Sequence, residues 1–229
     1  MKLKAVILNC TLKKSPAVSN TGALINKVVK LYKGLDVSSE VIRVVDYNIP
    51  FGVSSYEGKG DEWPKILKRI KACDIFVIGS PIWFGVRGSV AQMVIERLDG
   101  TYEEMDPKSG QFPLYGKVAG VIVTGNEDGA HDVASNTLFN LSHLGCTVPP
   151  NSDTYWVGPA GPGPSYIEAD GEHHLYTNKT AHFLVHNTVY FAKLLKKNPI
   201  PTNLKKLIAD AEKESHPPNQ VEKHRQLHG

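Results

Sequence analysis

Short, unbroken apolar runs alternate along this chain with longer stretches whose apolar residues recur every three or four positions. Leu3 to Leu8, Val41 to Val45, Ile75 to Ile78 and Val118 to Val123 read as strands. A fifth strand is expected between Cys146 and Val157, where Pro149 and Pro150 blur its bounds. Between the strands, residues 20–33 place Leu24, Val28 and Leu31 on one helical face and stop at Gly34. Asp61 can cap a helix bearing Trp63, Ile66 and Ile70, and Ser89 one bearing Val90, Val94 and Leu98. Residues 132–144 and 178–197 complete the helical set. Strands that are apolar throughout, rather than alternating, belong to a parallel sheet covered on both faces. The expectation is a doubly wound α/β domain over residues 1–197. A polar, proline-broken extension follows over 198–229, with a short helix at Leu204 to Ala211. That extension reads as a solvated tail or as an arm wrapping a second subunit.

Composition removes several classes. With 26 basic and 23 acidic residues among 229, the net charge of +3 is too small to imply nucleic acid. Cys10, Cys73 and Cys146 are odd in number and widely spaced, which speaks against a disulfide framework or a metal cluster. His182 and His186 stand four apart on a helix, but no third ligand accompanies them, so no metal is expected. No apolar run approaches the ~20 residues of a membrane span. A reducing cytoplasm is the expected compartment.

An open parallel sheet binds ligands beyond the carboxyl ends of its strands. Three loops there are unusual. The first, Asn9 to Thr21, leads into a helix and carries Thr11, Lys13, Ser19, Asn20 and Thr21. A helix N-terminus with added hydroxyls and a lysine suits a phosphate monoester, although Ser19 or Asn20 could equally serve only as the helix cap. Neither the dinucleotide fingerprint nor the P-loop pattern occurs. The second loop, Gly79 to Ser89, contains Pro81, Ile82, Trp83, Phe84 and Gly85, an aromatic and glycine-rich edge suited to a flat ligand. The third holds Thr124, Gly125, Asn126, Glu127, Asp128, Gly129 and His131 and can turn successive N–H groups toward a ring carbonyl. An ordinary polar turn capped by Asp132, with His131 solvated, fits the same residues. A phosphate cradle beside a flat apolar slot describes a flavin mononucleotide (FMN) site.

On these residues the chain resembles the flavodoxin-like NAD(P)H-dependent FMN reductase and quinone reductase superfamily. The Thr11 to Thr21 loop, the Gly-Ser-Pro-Ile-Trp-Phe-Gly run at 79–85, the Ile95 to Asp99 helix end and Gly116-Lys117 before the fourth strand carry the resemblance, over residues 1–157. It implies five parallel strands in the order 2-1-3-4-5. It also implies FMN held at the phosphate by the first loop, with Lys13 standing where Arg is common, and bordered at its ring by the other two. NAD(P)H would be the co-substrate, a quinone, flavin or similar small molecule the acceptor, and a homodimer or tetramer the assembly. No catalytic acid or base is required of the protein. Some members carry a cysteine cluster for an iron–sulfur centre near residues 47–60, where this chain has none. Two rivals remain. One is a flavodoxin-type electron carrier, disfavoured by the positive charge; the other is a flavin-free regulatory module on the same sheet.

Overall fold

In a computed structural model, which describes residues 2–159, 161 and 163–215, the apolar runs form one sheet. Its strands are β1 (Leu3–Asn9), β2 (Val37–Arg43), β3 (Ile75–Trp83), β4 (Val86–Arg87), β5 (Val118–Gly125) and β6 (Asp153–Val157). The helices are α1 (Asn20–Gly34), α2 (Trp63–Lys71), α3 (Ser89–Asp99), α4 (Ala130–His143), α5 (Leu175–Lys197) and α6 (Leu204–Glu214). Five strands run parallel in the order β2-β1-β3-β5-β6, and β4 pairs antiparallel with the end of β3. Counting the parallel strands alone, this is the 2-1-3-4-5 order of the flavodoxin-like fold.

Alternate residues of each central strand feed different helical layers. Leu3, Ala5 and Ile7 pack with α1 and α5, and Val6 and Leu8 pack with α2 and α3. Both faces are therefore dry, which is why these strands read as solid apolar runs. His182 and His186 stay on the exposed face of α5. Among the described residues no helix is long and apolar enough to cross a membrane.

Several bounds differ from the sequence expectation for identifiable reasons. β2 spans Val37–Arg43 rather than 41–45, because an edge strand with only Val37 and Ile42 buried shows little hydrophobic signal. The third parallel strand does not end at Ile78. It continues through Gly79, Ser80 and Pro81 to pair Pro81 with Thr124, then turns back into β4, which the sequence did not announce. α4 begins at Ala130, two residues before the expected start, so His131 is helical. α5 begins at Leu175, where the His174 ring nitrogen lies 3.4 Å from the Thr177 N–H it caps. Ser89 is a first helical residue rather than a cap, since Gly88 precedes the helix without a side-chain bond.

The described part of the C-terminal extension is docked. Leu204 N–H reaches Ser109 O at 2.7 Å, and Gln111 donates to the carbonyls of Ile200 and Thr202. No α6 residue is buried, and Leu207 and Ile208 face solvent. Residues 216–229 of the extension lie outside the described residues.

Candidate functional site

The three loops after β1, β3 and β5 meet at the carboxyl edge of the sheet around a cleft of about 360 Å³. The β1–α1 loop is fixed from below. Arg43, at the end of β2, donates to the carbonyls of Ala17 (2.8 Å) and Lys13 (3.4 Å). Asp46 accepts both the Ser15 hydroxyl and the Ser15 N–H. These bonds, hydroxyl first, hold the Asp46 carboxyl below its ordinary range. The N–H groups of Val18, Ser19, Asn20 and Thr21 make no hydrogen bond among the described residues. These unpaired donors lie at the positive end of α1; Asn20 and Thr21 line the cleft, whereas Val18 and Ser19 line a neighbouring depression with Arg43.

The hydroxyls expected at the phosphate cradle have protein partners. Ser19 Oγ caps α1 by accepting from Gly22 N–H at 2.9 Å. Thr21 Oγ1 lies 2.7 Å from Thr124 Oγ1, a buried bond joining α1 to the end of β5. What Ser19 and Thr21 keep free is the backbone. Thr21→Val leaves the buried Thr124 hydroxyl without this partner and should cost about 1–3 kcal/mol of stability. Pairing it with Thr124→Val should recover much of that loss, as chemical denaturation of the single and double variants would show.

The other two loops touch at their tips. β3 and β4 are joined by Phe84 and Gly85, both at positive φ (+50° and +79°), as a tight two-residue hairpin turn requires. Glu127 Oε1 accepts from Phe84 N–H at 3.1 Å. Gly129 passes so close to Gly85 that an added Cβ would lie 2.2 Å from the Gly85 carbonyl oxygen. An added Cβ at Gly125 would lie 2.7 Å from the Ile82 side chain.

Of the residues singled out from the sequence, Thr11, Lys13, Asn20 and Thr21 line one side of the cleft. Pro81, Ile82 and Trp83 line the second side, and Thr124, Gly125, Asn126 and Glu127 the third. Phe84 does not line it: its ring is 94% exposed at the hairpin tip. Gly85 and Gly129 support the hairpin from behind the cleft wall, Ser19 caps α1, and Asp128 is exposed. His131 turns away to Tyr155, with Nε2 3.0 Å from the phenol oxygen. The Cys10 thiol is fully buried and pushed far up by desolvation, which removes it as a nucleophile. The cleft also takes in Leu12 and, from the segment after β6, Ser165 and Tyr166, which the sequence did not single out.

Residues 50–61, which contain no cysteine, are organised by an ion pair. Arg97 of α3 donates to Asp61 Oδ2 at 2.6 Å and to the carbonyls of Ser54 (3.0 Å) and Pro50 (2.8 Å), with both charged side chains wholly buried.

A parallel sheet in this order, with the loops after β1, β3 and β5 gathered around a cleft at its carboxyl edge, defines a flavodoxin-like protein. The family described as NADPH-dependent FMN reductase matches residues 3–158, and the chain belongs to it. Over 224 residues the chain is 43% identical to 8-demethyl-8-aminoriboflavin-5'-phosphate synthase of Streptomyces davaonensis, covering 94% of this chain and 87% of that one. A crystal structure of RosB with bound 8-demethyl-8-formylriboflavin-5'-phosphate superposes with a TM-score of 0.87 at 42% identity, covering 95% of this chain and 89% of that one. A more distant relative, the iron–sulfur flavoprotein MJ1083 of Methanocaldococcus jannaschii, is 26% identical over 154 residues, which is 63% of this chain and 76% of that one.

Proposed function

We propose that this chain is a flavin enzyme that holds FMN by its phosphate in the cleft and passes reducing equivalents from NAD(P)H to a small acceptor such as a quinone or flavin. The observation that carries the phosphate assignment is the pair of unpaired N–H groups at Asn20 and Thr21, which line the cleft with Lys13, preceded by those of Val18 and Ser19. The pattern suits a terminal phosphate monoester: the donors lie at a helix N-terminus, and Arg43 holds the nearby carbonyls of Lys13 and Ala17. On this reading, Thr11, Ser19, Asn20 and Thr21 border the phosphate. Pro81 to Trp83 and Thr124 to Glu127 border the ring, with Gly85 and Gly129 bracing the loops behind them and His131 holding its Tyr155 contact. FMN, when bound, supplies the hydride chemistry. The chain positions the ring between the two tip-joined loops and offers backbone donors from the β5–α4 turn to its carbonyl edge.

A second reading is favoured by the 43% identity to a flavin-phosphate synthase across nearly the whole chain. Here the flavin phosphate is the substrate, altered at the 8-position, and the same cradle recognises it. One experiment separates the two. Protein loaded with FMN is mixed anaerobically with NADH or NADPH, and the flavin is then released and weighed by mass spectrometry. Rapid bleaching of the oxidised flavin, with the mass of FMN recovered once the released flavin is reoxidised in air, supports the reductase. No bleaching by either nicotinamide overturns it, and a flavin of altered mass after incubation with candidate donors supports the second reading.

We further propose a homodimer or a dimer of dimers in the cytoplasm. Trp83 is 51% and Phe84 94% exposed beside the cleft, an apolar hairpin tip that a second subunit would cover. Light scattering should give a mass near twice or four times 25.1 kDa. A fully active monomer would contradict this.

A further inference from the structure

The segment between β6 and α5 is tied across the cleft by residues of two different site loops. Asn20, the first residue of α1, accepts the Ile167 N–H on its Oδ1 at 2.9 Å. Asn126, after β5, donates from Nδ2 to the Gly163 carbonyl at 2.8 Å. The two bonds span sequence separations of 147 and 37 residues, so they hold a tertiary arrangement rather than a local turn. The segment is also plugged into the core. Tyr166 is almost fully buried, packed edge-to-face on Trp156 with ring centroids 5.7 Å apart. The Gly171 backbone lies directly over its ring, where a Cβ would come within 2.4 Å. The Tyr166 hydroxyl has no partner among the described residues, so the ring rather than the polar atom does the anchoring.

Between these ties, Ser165 and Tyr166 line the same cleft as the cradle. The Ser165 hydroxyl has no hydrogen bond among the described residues. Two asparagines whose sequence positions suggest ligand contacts thus spend a side-chain atom each on this segment. An amide that bonds another loop at 2.8–2.9 Å is a latch, with its remaining polar atom available for a ligand.

We propose that Gly163–Gly171 is a strap that closes the phosphate side of the cleft. Asn20 and Asn126 are the positioning residues that hold it, Tyr166 is its plug, and Ser165 is a further contact to the bound flavin phosphate. This rests on the flavin-phosphate reading above. A ligand seated behind the strap leaves only when both latches and the plug let go, so the strap governs release more than encounter.

The test is the rate of FMN release, read by displacement in stopped flow, in the wild-type chain and in four variants. Asn126→Ala and Tyr166→Ala should each speed release about 10–100-fold, the equivalent of ~1.4–2.8 kcal/mol at constant association rate. Proteolytic cleavage within 163–171 should rise in both and should be suppressed by saturating FMN. Tyr166→Phe keeps the plug and should release FMN at the wild-type rate, which separates the ring from its hydroxyl. Ser165→Ala should weaken FMN binding several-fold without increasing cleavage. If Tyr166→Ala unfolds the chain, Asn126→Ala and Ser165→Ala decide. Wild-type release rates in Asn126→Ala and Ser165→Ala, in a protein that binds FMN, would overturn the strap while leaving the flavin site intact. A wild-type chain that does not bind FMN would overturn both.

Discussion

Arg97→Met should destabilise the protein by about 3–5 kcal/mol, because it leaves a buried carboxylate without its partner. The Asp61 side chain is wholly buried, and Arg97 reaches it at 2.6 Å. Burial pushes this carboxyl up, yet the Arg97 bond and the N–H groups of Glu57 and Trp63 outweigh it and keep the carboxyl below its ordinary range. Methionine fills the space of the arginine stem but supplies no charge, and it strands the carbonyls of Pro50 and Ser54 as well. The sign with pH follows. In the wild type Asp61 has a lowered folded pKa, so its contribution is present above the unfolded value of ~3.9 and is lost as pH falls through the folded one. In Arg97→Met burial acts unopposed by the arginine, the folded pKa moves up, and the variant recovers stability relative to the wild type as pH falls toward 4. Urea denaturation at neutral and mildly acidic pH would show a gap between the two proteins that narrows with acid. A gap independent of pH would mean that the lost packing, not the stranded carboxylate, sets the cost. Adding Asp61→Asn should recover part of the loss at neutral pH.

The second large effect is expected at Gly129→Ala. The residue sits at φ +120°, and its new Cβ would fall 2.2 Å from the Gly85 oxygen and 2.6 Å from the Gly85 carbonyl carbon and Cα. The obstacle is backbone on both sides, so relief requires the β3–β4 hairpin to move away from the β5–α4 turn. That motion pulls Phe84 N–H from Glu127 and widens the slot between Trp83 and Thr124 to Glu127. Strain of this kind costs about 1–3 kcal/mol, and its appearance in binding would weaken flavin affinity by roughly one to two decades. Gly116→Ala provides the control: its φ is also positive, at +78°, but nothing lies within 4 Å of the added Cβ. Both variants should lose stability, while only Gly129→Ala should lose flavin affinity. Equal affinities in the two variants would show that the contact between the loop tips does not shape the site.

The central strands were legible in the sequence because both of their faces are buried, which turns Ile75 to Ile78 and Val118 to Val123 into solid apolar runs. β2 was misplaced for the opposite reason: it pairs on one edge only and exposes much of Ser38 to Val41. The loops that build the cleft could be located from the strand ends alone, since ligand sites in open parallel sheets gather there. Their internal wiring could not. Arg43 reaches Ala17 over 26 residues, Asp46 reaches Ser15 over 31, and Asn20 reaches Ile167 over 147. A side chain bonding a distant backbone atom leaves no periodic pattern behind. For the same reason Ser165 and Tyr166, inside a glycine- and proline-rich loop, gave no sign that they line the cleft. Ser19 shows a related limit, since a cap and a phosphate ligand call for the same residue type at the same position.

The measurement that bears most directly on this account is a titration of the flavin-free protein with FMN and, separately, with riboflavin, which lacks the phosphate. Two charge-assisted bonds from the α1 cradle, at about 1.5–3 kcal/mol each, separate the two ligands by roughly two to four decades. The account predicts one FMN bound per chain and riboflavin weaker by at least about a hundredfold. Equal affinity for the two flavins, or saturable binding of neither, would contradict it.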